Sequence, residues 1–281
     1  LISPQHVTET TVDMPPLSSE SLAIKRSIVS MCHRAKASHV GSGLSCSDIL
    51  SVLYMGKVLR HDPKKPAWEG RDRFIMSKGH ASAALYATLA HAGFFPISDL
   101  VSYYQDGSKM PGHPVKGCLP GVEVSTGSLG HGLGLGAGMA IAFSLDKKSN
   151  RVFVLMSDGE LDEGSVWEAV LFAGAKKLEN LIAIIDYNKL QSFGRVKEVL
   201  DLEPMEEKFR SFGWEARRVD GNSIKELQKL FSSGFLSSKK PKVVIADTIK
   251  GHGVSFMQDK LEWHYKSPSD GDYKIAMEEL K

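Results

Sequence analysis

Two uninterrupted apolar runs constrain this chain most: Val152-Phe153-Val154-Leu155-Met156 and Leu181-Ile182-Ala183-Ile184-Ile185. A strand with one wet face alternates apolar and polar residues. A strand covered on both faces reads as a continuous apolar run, the mark of a parallel sheet between helical layers. Phe74-Ile75-Met76 and Val243-Val244-Ile245-Ala246 are two further short runs of this kind. Between the runs, apolar residues recur at helical spacing: Leu22, Ile24, Ile28 and Met31; Ile49, Leu50, Leu53 and Tyr54; and Ile224, Leu227 and Leu230. Ala81 to Ala90 and Val166 to Ala175 also read as helices. The expected class is α/β, a mostly parallel sheet with helices on both faces. One domain is expected over residues 1–281, with extended arms at both ends, the N-terminal one over about residues 1–18.

The 281 residues suffice to bury a substantial core. A net charge of +2 is too mild to argue for nucleic acid or a membrane surface. Cys32, Cys46 and Cys118 are odd in number and form no CxxC pair, which fits free thiols in a reducing compartment. Gly127 to Leu145 has roughly the length of a membrane span. It carries six glycines and His131, however, and a buried glycine-rich helix is expected instead. Leu1 to Pro16 is polar and broken by prolines, unlike a secretory signal, so the expected location is the cytoplasm.

Ser157-Asp158-Gly159 ends one central run and Asn188 ends the next. If these strands are parallel neighbours joined by a right-handed crossover, their carboxyl ends lie about 4.8 Å apart. Asp158 and Asn188 then project into one crevice, where open α/β sheets bind ligands. A carboxylate, an amide oxygen and a loop carbonyl suit Mg²⁺, whose octahedron is completed by phosphate oxygens and water. Gly159 lets a phosphate approach the backbone. The same residues also fit a simple Asp-Gly turn or helix cap. Gly127-Ser128-Leu129-Gly130-His131-Gly132 opens a helix and continues as Gly134, Gly136 and Gly138. Such an entry favours an anion on the helix N-terminus, and it serves close helix packing equally well. His80, in Ser77-Lys78-Gly79-His80, is placed either to donate to a phosphate or to cap a helix locally.

Taken together and in order, these segments resemble the thiamine-diphosphate-binding domain of transketolases from about Ser38 to Lys266. Asp158-Gly159, with Asn188 30 residues beyond Asp158, is similar to the diphosphate and magnesium signature of that superfamily. Ser38 to Ser45, Met76 to Ser82 and Met110 to Pro114 resemble its three histidine loops. Gly127 to Gly130 resembles its glycine turn, and Asp186 to Gln191 its second metal-ligand strand end. Lys250-Gly251-His252-Gly253 with Glu262-Trp263-His264 resembles its closing loop.

The resemblance implies a thiamine-diphosphate-binding fold. It implies thiamine diphosphate with Mg²⁺, for which Ca²⁺ or Mn²⁺ can substitute. Asp158 and Asn188 would bind the metal by side chain and Leu190 by its carbonyl. His80, Gly159, Gly127, Ser128 and Leu129 would hold the diphosphate, and His264 would lie near it and the reacting carbonyl. His39 and His113 would line the sugar channel. Transfer of a two-carbon ketol unit from a ketose, such as a sugar phosphate, to an aldose moves protons on hydroxyls. Imidazoles near neutral pKa suit that task, and the cofactor supplies the carbanion sink. Glu163 and Glu168 resemble acidic residues at the subunit interface; as bare sequence they also fit an exposed acidic first helical turn. His6, His33, His61, His91 and His252 are read as structural, with the role of His131 open.

Ser157 stands where the family usually has glycine, and His252 where it usually has Lys or Arg, which leaves that loop's contact open. The domain that supplies the activating glutamate and the sugar-phosphate arginines does not follow within this sequence. The chain therefore resembles the N-terminal partner of a split transketolase, in a heterotetramer with a subunit carrying the pyrimidine-binding and C-terminal domains; a piece of a longer transketolase would look the same. A deoxyxylulose-phosphate-synthase-like or 2-oxoacid-dehydrogenase α-like enzyme, or a non-catalytic module keeping the fold, are the competing readings. The histidine set and the intact metal pair favour the first.

Overall fold

The computed structural model describes residues 16–281. Five parallel strands form its sheet: β1 (Arg73–Met76), β2 (Val152–Ser157), β3 (Leu181–Tyr187), β4 (Glu215–Asp220) and β5 (Lys242–Asp247), in the order β1-β2-β3-β5-β4. Every residue of β2 and β3 is buried, which is why their sequences run apolar without alternation. The β2–β3 register sets Ser157 opposite Asp186, so Asp158 and Asn188 follow at adjacent strand ends. The sequence patterns had not indicated β4. It lies at the sheet edge and carries Arg217, Arg218 and Asp220, with Ala216 its one buried residue.

Helices cover both faces. Against one pack α1 (Leu17–Ala35), α2 (Val40–Tyr54) and α3 (Ser82–His91); against the other, α4 (Gly132–Leu145) and α5 (Gly164–Ala175). A short α6 (Val196–Val199) and α7 (Met205–Ser211) precede β4; α8 (Ile224–Ser232) leads from β4 back to β5. Right-handed crossovers account for the sides taken. The steps β2→β3 and β3→β4 run across the sheet in one direction, and α5 and α7 lie on one face. The step β4→β5 reverses, and α8 lies on the other. The chain leaves β1 towards one face and β2 towards the other, opening a crevice at their carboxyl ends.

Two expectations need correction. The glycine-rich helix α4 is buried along one side, not all round. A Cβ on Gly136 would come within 2.5 Å of Val154, so this glycine brings helix and strand together. Gly134 and Gly138 face outward, and Leu135 and Leu145 are exposed. The C-terminal arm is a helix, α9 (Asp270–Glu279), started by a capping box between Ser269 and Asp272 and docked on α1 through buried Ala276 and Leu280. Of the N-terminal arm, residues 1–15, including His6, lie outside the described residues, and Leu17 and Ser18 already belong to α1. Among the described residues no helix is long and apolar enough to cross a membrane.

Candidate active site

The site is built where β2 and β3 end. Asp158 is almost wholly buried; its Oδ1 accepts the N–H of Gly159 at 2.8 Å and its Oδ2 the N–H of Lys189 at 2.6 Å. The cap reading of Asp158 is therefore partly right, since Oδ1 starts the 3₁₀ turn Gly159–Asp162, while Oδ2 crosses to the neighbouring strand end. Asn188 is buried, with Oδ1 accepting the Leu190 N–H at 3.1 Å across Lys189, which takes the left-handed φ of 68°. A cavity of about 240 Å³ opens here, lined by Asp158, Gly159, Asn188, Leu190, His80, Leu129, Lys250 and His264, among others. A Cβ on Gly159 would meet Gln191 at 3.1 Å, so a larger residue would press on the cavity wall.

Across the cavity, the turn after β1 and the glycine turn before α4 touch closely. A Cβ on Gly79 would lie 2.8 Å from the Gly127 nitrogen, and one on Gly132 would overlap Ser77. Glu160, fully buried, ties them together by accepting from Ser77 Oγ and, at 3.0 Å, from the Gly130 N–H. Burial raises its pKa against these bonds. Neither the 3₁₀ turn holding His80 nor α3 behind it has a side-chain cap, so the local-cap reading of His80 fails.

All four singled-out histidines meet at this end of the sheet. The His39 ring lies 5.2 Å from that of His80 and 4.8 Å, edge-on, from that of His264. His113 borders the glycine turn, its Cδ2 3.3 Å from where a Gly127 Cβ would stand. Burial, followed by neighbouring positive charge, lowers His39 to about 4 and His264 to about 3. His80 falls well below its ordinary value, first by burial and then by the Lys78 ammonium, and His113 is lowered by burial. These imidazoles are neutral at physiological pH, each with one nitrogen to donate and one to accept. His39 Nδ1 and Thr126 Oγ1 are buried with no hydrogen-bond partner among the described residues. Orphaned polar atoms beside a cavity mark a place for a bound group.

The donor set fits a magnesium diphosphate. Among the described residues no cluster of three or more His, Cys, Asp or Glu side chains could hold a metal. A metal here would rest on one carboxylate, the Asn188 amide and the Leu190 carbonyl, and would lean on the ligand's own oxygens, as Mg²⁺ does. Sequence reasoning had passed over Lys250. It is buried, donates to the Leu190 carbonyl and meets His264 Nδ1, both at 2.9 Å, and burial lowers its pKa. It opens the Lys250-Gly251-His252-Gly253 segment, two residues before the histidine that departs from the family pattern. His252 turns away from the cavity, onto Asp48 Oδ2 at 3.0 Å. Ser157 is buried at the end of β2, its N–H on Glu160 at 3.4 Å. His131 is exposed, Glu163 precedes α5 and Glu168 lies on it, and both glutamates are exposed.

The five-stranded parallel sheet, with Asp158 and Asn188 at adjacent central strand ends beneath a group of imidazoles, is an α/β fold with its crevice at the carboxyl ends of the strands. The family described as "Transketolase, thiamine diphosphate binding domain" matches residues 20–279, and the chain belongs to it. It is 44% identical over 266 residues to one subunit of the apulose-4-phosphate transketolase of Actinobacillus succinogenes, covering 94% of this chain and 96% of that protein. It is 40% identical over 243 residues to the 6-deoxy-6-sulfo-D-fructose transketolase subunit SqwG of Clostridium sp. strain MSTE9, covering 86% and 88%. The solved transketolase of Leishmania mexicana superposes with a TM-score of 0.89 at 30% identity, covering 95% of this chain and 41% of that one. The chain thus spans less than half the length of that transketolase chain.

Proposed function

We propose that this chain is the thiamine-diphosphate- and Mg²⁺-binding subunit of a split transketolase. It would transfer a two-carbon ketol unit from a ketose, such as a sugar phosphate, to an aldose. The observation that carries this reading is the convergence of Asp158, Asn188, the Leu190 carbonyl and Lys250 on one cavity beside His39, His80 and His264. Asp158, Asn188 and Leu190 would hold Mg²⁺, with Ca²⁺ or Mn²⁺ as substitutes. Lys250, His80, Gly159 and the turn Gly127, Ser128 and Leu129 would hold the diphosphate. When bound, the cofactor supplies the sink for a carbanion. The protein's part is to hold and move protons. His39 and His113 face the sugar channel and exchange protons with sugar hydroxyls; neutral His264 does the same near the reacting carbonyl.

A second polypeptide would complete the site. Both curated relatives described above are named as subunits, which supports a divided enzyme. Leu135 and Leu145 of α4 and Leu171 and Phe172 of α5 are exposed, and Phe193 stands 83% exposed at the cavity mouth. Apolar surface of this kind marks a docking face. Glu163, just before α5, and Glu168, midway along it, would sit in that interface. The partner would carry the pyrimidine-binding and C-terminal domains, two copies of each subunit forming a heterotetramer in the cytoplasm. The test is a coupled ketol-transfer assay on the chain with and without the product of the neighbouring gene. Absence of transfer and of Mg²⁺-dependent thiamine diphosphate binding in the reconstituted mixture would sink the reading.

A further inference from the structure

Behind the cavity wall lies an ion pair that no solvent reaches. Lys78 Nζ donates to Asp186 Oδ2, both side chains being 0% exposed, and also to the Ser42 carbonyl at 3.0 Å. The same Oδ2 accepts from Ser45 Oγ at 2.5 Å, and Oδ1 accepts from Thr248 Oγ1. One carboxylate therefore gathers side chains from four segments: β3 itself, the turn after β1, helix α2 and the loop after β5. Each segment carries a group of the site close by in sequence. Asn188 is two residues past Asp186, His80 two past Lys78, and Lys250 two past Thr248. Ser45 belongs to the helix that His39 precedes. None of the four side chains lines the cavity.

Stability alone does not call for this arrangement. Desolvating two charges offsets most of their attraction, and well-packed apolar residues often serve a core as well or better. The surrounding core is apolar, with Leu44, Phe153, Ile184, Val244 and Ala246 all 0% exposed. What the carboxylate adds is direction. Its two oxygens accept at fixed angles from three donors that arrive on separate elements, and packing alone lets those elements slide.

We infer that Asp186 is the positioning residue of the cofactor site, setting His80, Asn188 and Lys250 in mutual register through Lys78, Ser45 and Thr248. The inference rests on the thiamine diphosphate reading above. It assigns Asp186 no contact with cofactor or substrate.

The test titrates thiamine diphosphate with MgCl₂ into the assembled two-subunit enzyme by calorimetry, with thermal melts in parallel. Thr248→Val and Ser45→Ala each remove one tether and leave no unpaired charge. The pair Lys78→Met with Asp186→Leu removes both charges of the hub together, so neither is left buried without its partner. The expected result is a cofactor affinity lowered about tenfold or more in the pair and less in each single variant, as for supports of a metal site. The melting temperature of the single variants stays close to wild type, and the sugar KM moves less than the cofactor affinity does. Wild-type cofactor affinity in the folded pair overturns the inference. Should the pair not fold, wild-type affinity in both single variants overturns it, and weakened affinity in either supports it. A wild-type complex that binds no thiamine diphosphate sinks the functional reading instead, so the two failures are distinguishable.

Discussion

The carboxylate of Asp158 reaches the backbone N–H of Lys189 at 2.6 Å, clamping the end of β2 to the residue just past Asn188. The two side chains expected to share a metal are therefore held by a bond from one strand end to the other. Asp158→Ala should cut Mg²⁺-dependent thiamine diphosphate affinity by about a hundredfold or more, a loss of about 3 kcal/mol. Asp158 stands just past the end of β2 rather than within the sheet, so far-ultraviolet circular dichroism should not change. Chelation should mimic the variant in wild type, with Mg²⁺, Ca²⁺ or Mn²⁺ restoring binding. Calorimetric titration checks both; an unchanged affinity removes Asp158 from the site.

The histidines should divide by task. His80→Ala should weaken the cofactor by about 1.5–3 kcal/mol, the worth of a hydrogen bond to a charged group. His39→Ala and His113→Ala should instead raise the sugar KM or lower kcat and spare cofactor affinity. Because His39 sits near 4 and His264 near 3, neither should put a break in the kcat/KM profile near pH 6.5, the ordinary imidazole value. Measuring affinity and steady-state kinetics on each variant tests the division. Wild-type cofactor affinity in His80→Ala together with its loss in His39→Ala would reverse the two assignments.

The isolated chain should be nearly inactive in ketol transfer, with activity appearing when a second subunit of comparable size is added. Leu171→Lys on the exposed side of α5 should weaken that assembly and leave the melting temperature of the isolated chain within a small range of wild type. Size-exclusion profiles and the coupled assay report on both. Robust turnover by the isolated chain, with contamination excluded, would contradict the divided-site reading.

Asp48 provides a stability test with a defined sign. It is buried between α1 and the closing loop, bonded to Ser21, to Lys25 at 2.9 Å, to His252 at 3.0 Å and to Asn222 at 3.0 Å. Burial alone would raise its pKa; the bonds from His252, Lys25 and Ser21 outweigh that and hold it at about 2, below the ordinary 3.8. A lowered folded pKa means the contribution is fully present above about pH 4 and is lost as pH falls from there through about 2. Asp48→Asn should thus be less stable than wild type by about 2 kcal/mol at neutral pH, and the gap should close towards pH 2. Urea unfolding in neutral and acidic buffer reads it. A gap that stays constant across that window would show that Asp48 stabilises by packing rather than by charge.

The pattern of apolar runs was enough to call the central sheet, because β2 and β3 are covered on both faces and every position there obeys one rule. Asp158 and Asn188 stood out beside them as polar residues two and three positions past the ends of those runs. Edge strand β4 obeyed no such rule: its partner on one side is solvent, so Arg217 and Arg218 are tolerated and the pattern dissolves. The glycines of α4 showed a helix but not which side of it would be covered, since Gly134 and Gly136 look alike until Val154 is placed against one of them.

Local order along the chain therefore determined the fold class, the strand ends and the chemical kinds of residue at the site. The tertiary structure alone decided which of them meet. Lys250 joins the Leu190 carbonyl across 60 positions and Lys78 joins Asp186 across 108, separations at which periodicity carries no signal. The turning of His252 away from the cavity, onto Asp48, was likewise settled by packing. Hydrophobic burial acts through local pattern and is written along the sequence. Hydrogen bonds and ion pairs depend on distances of a few ångströms between distant segments, and those exist only once the sheet has brought its strand ends together.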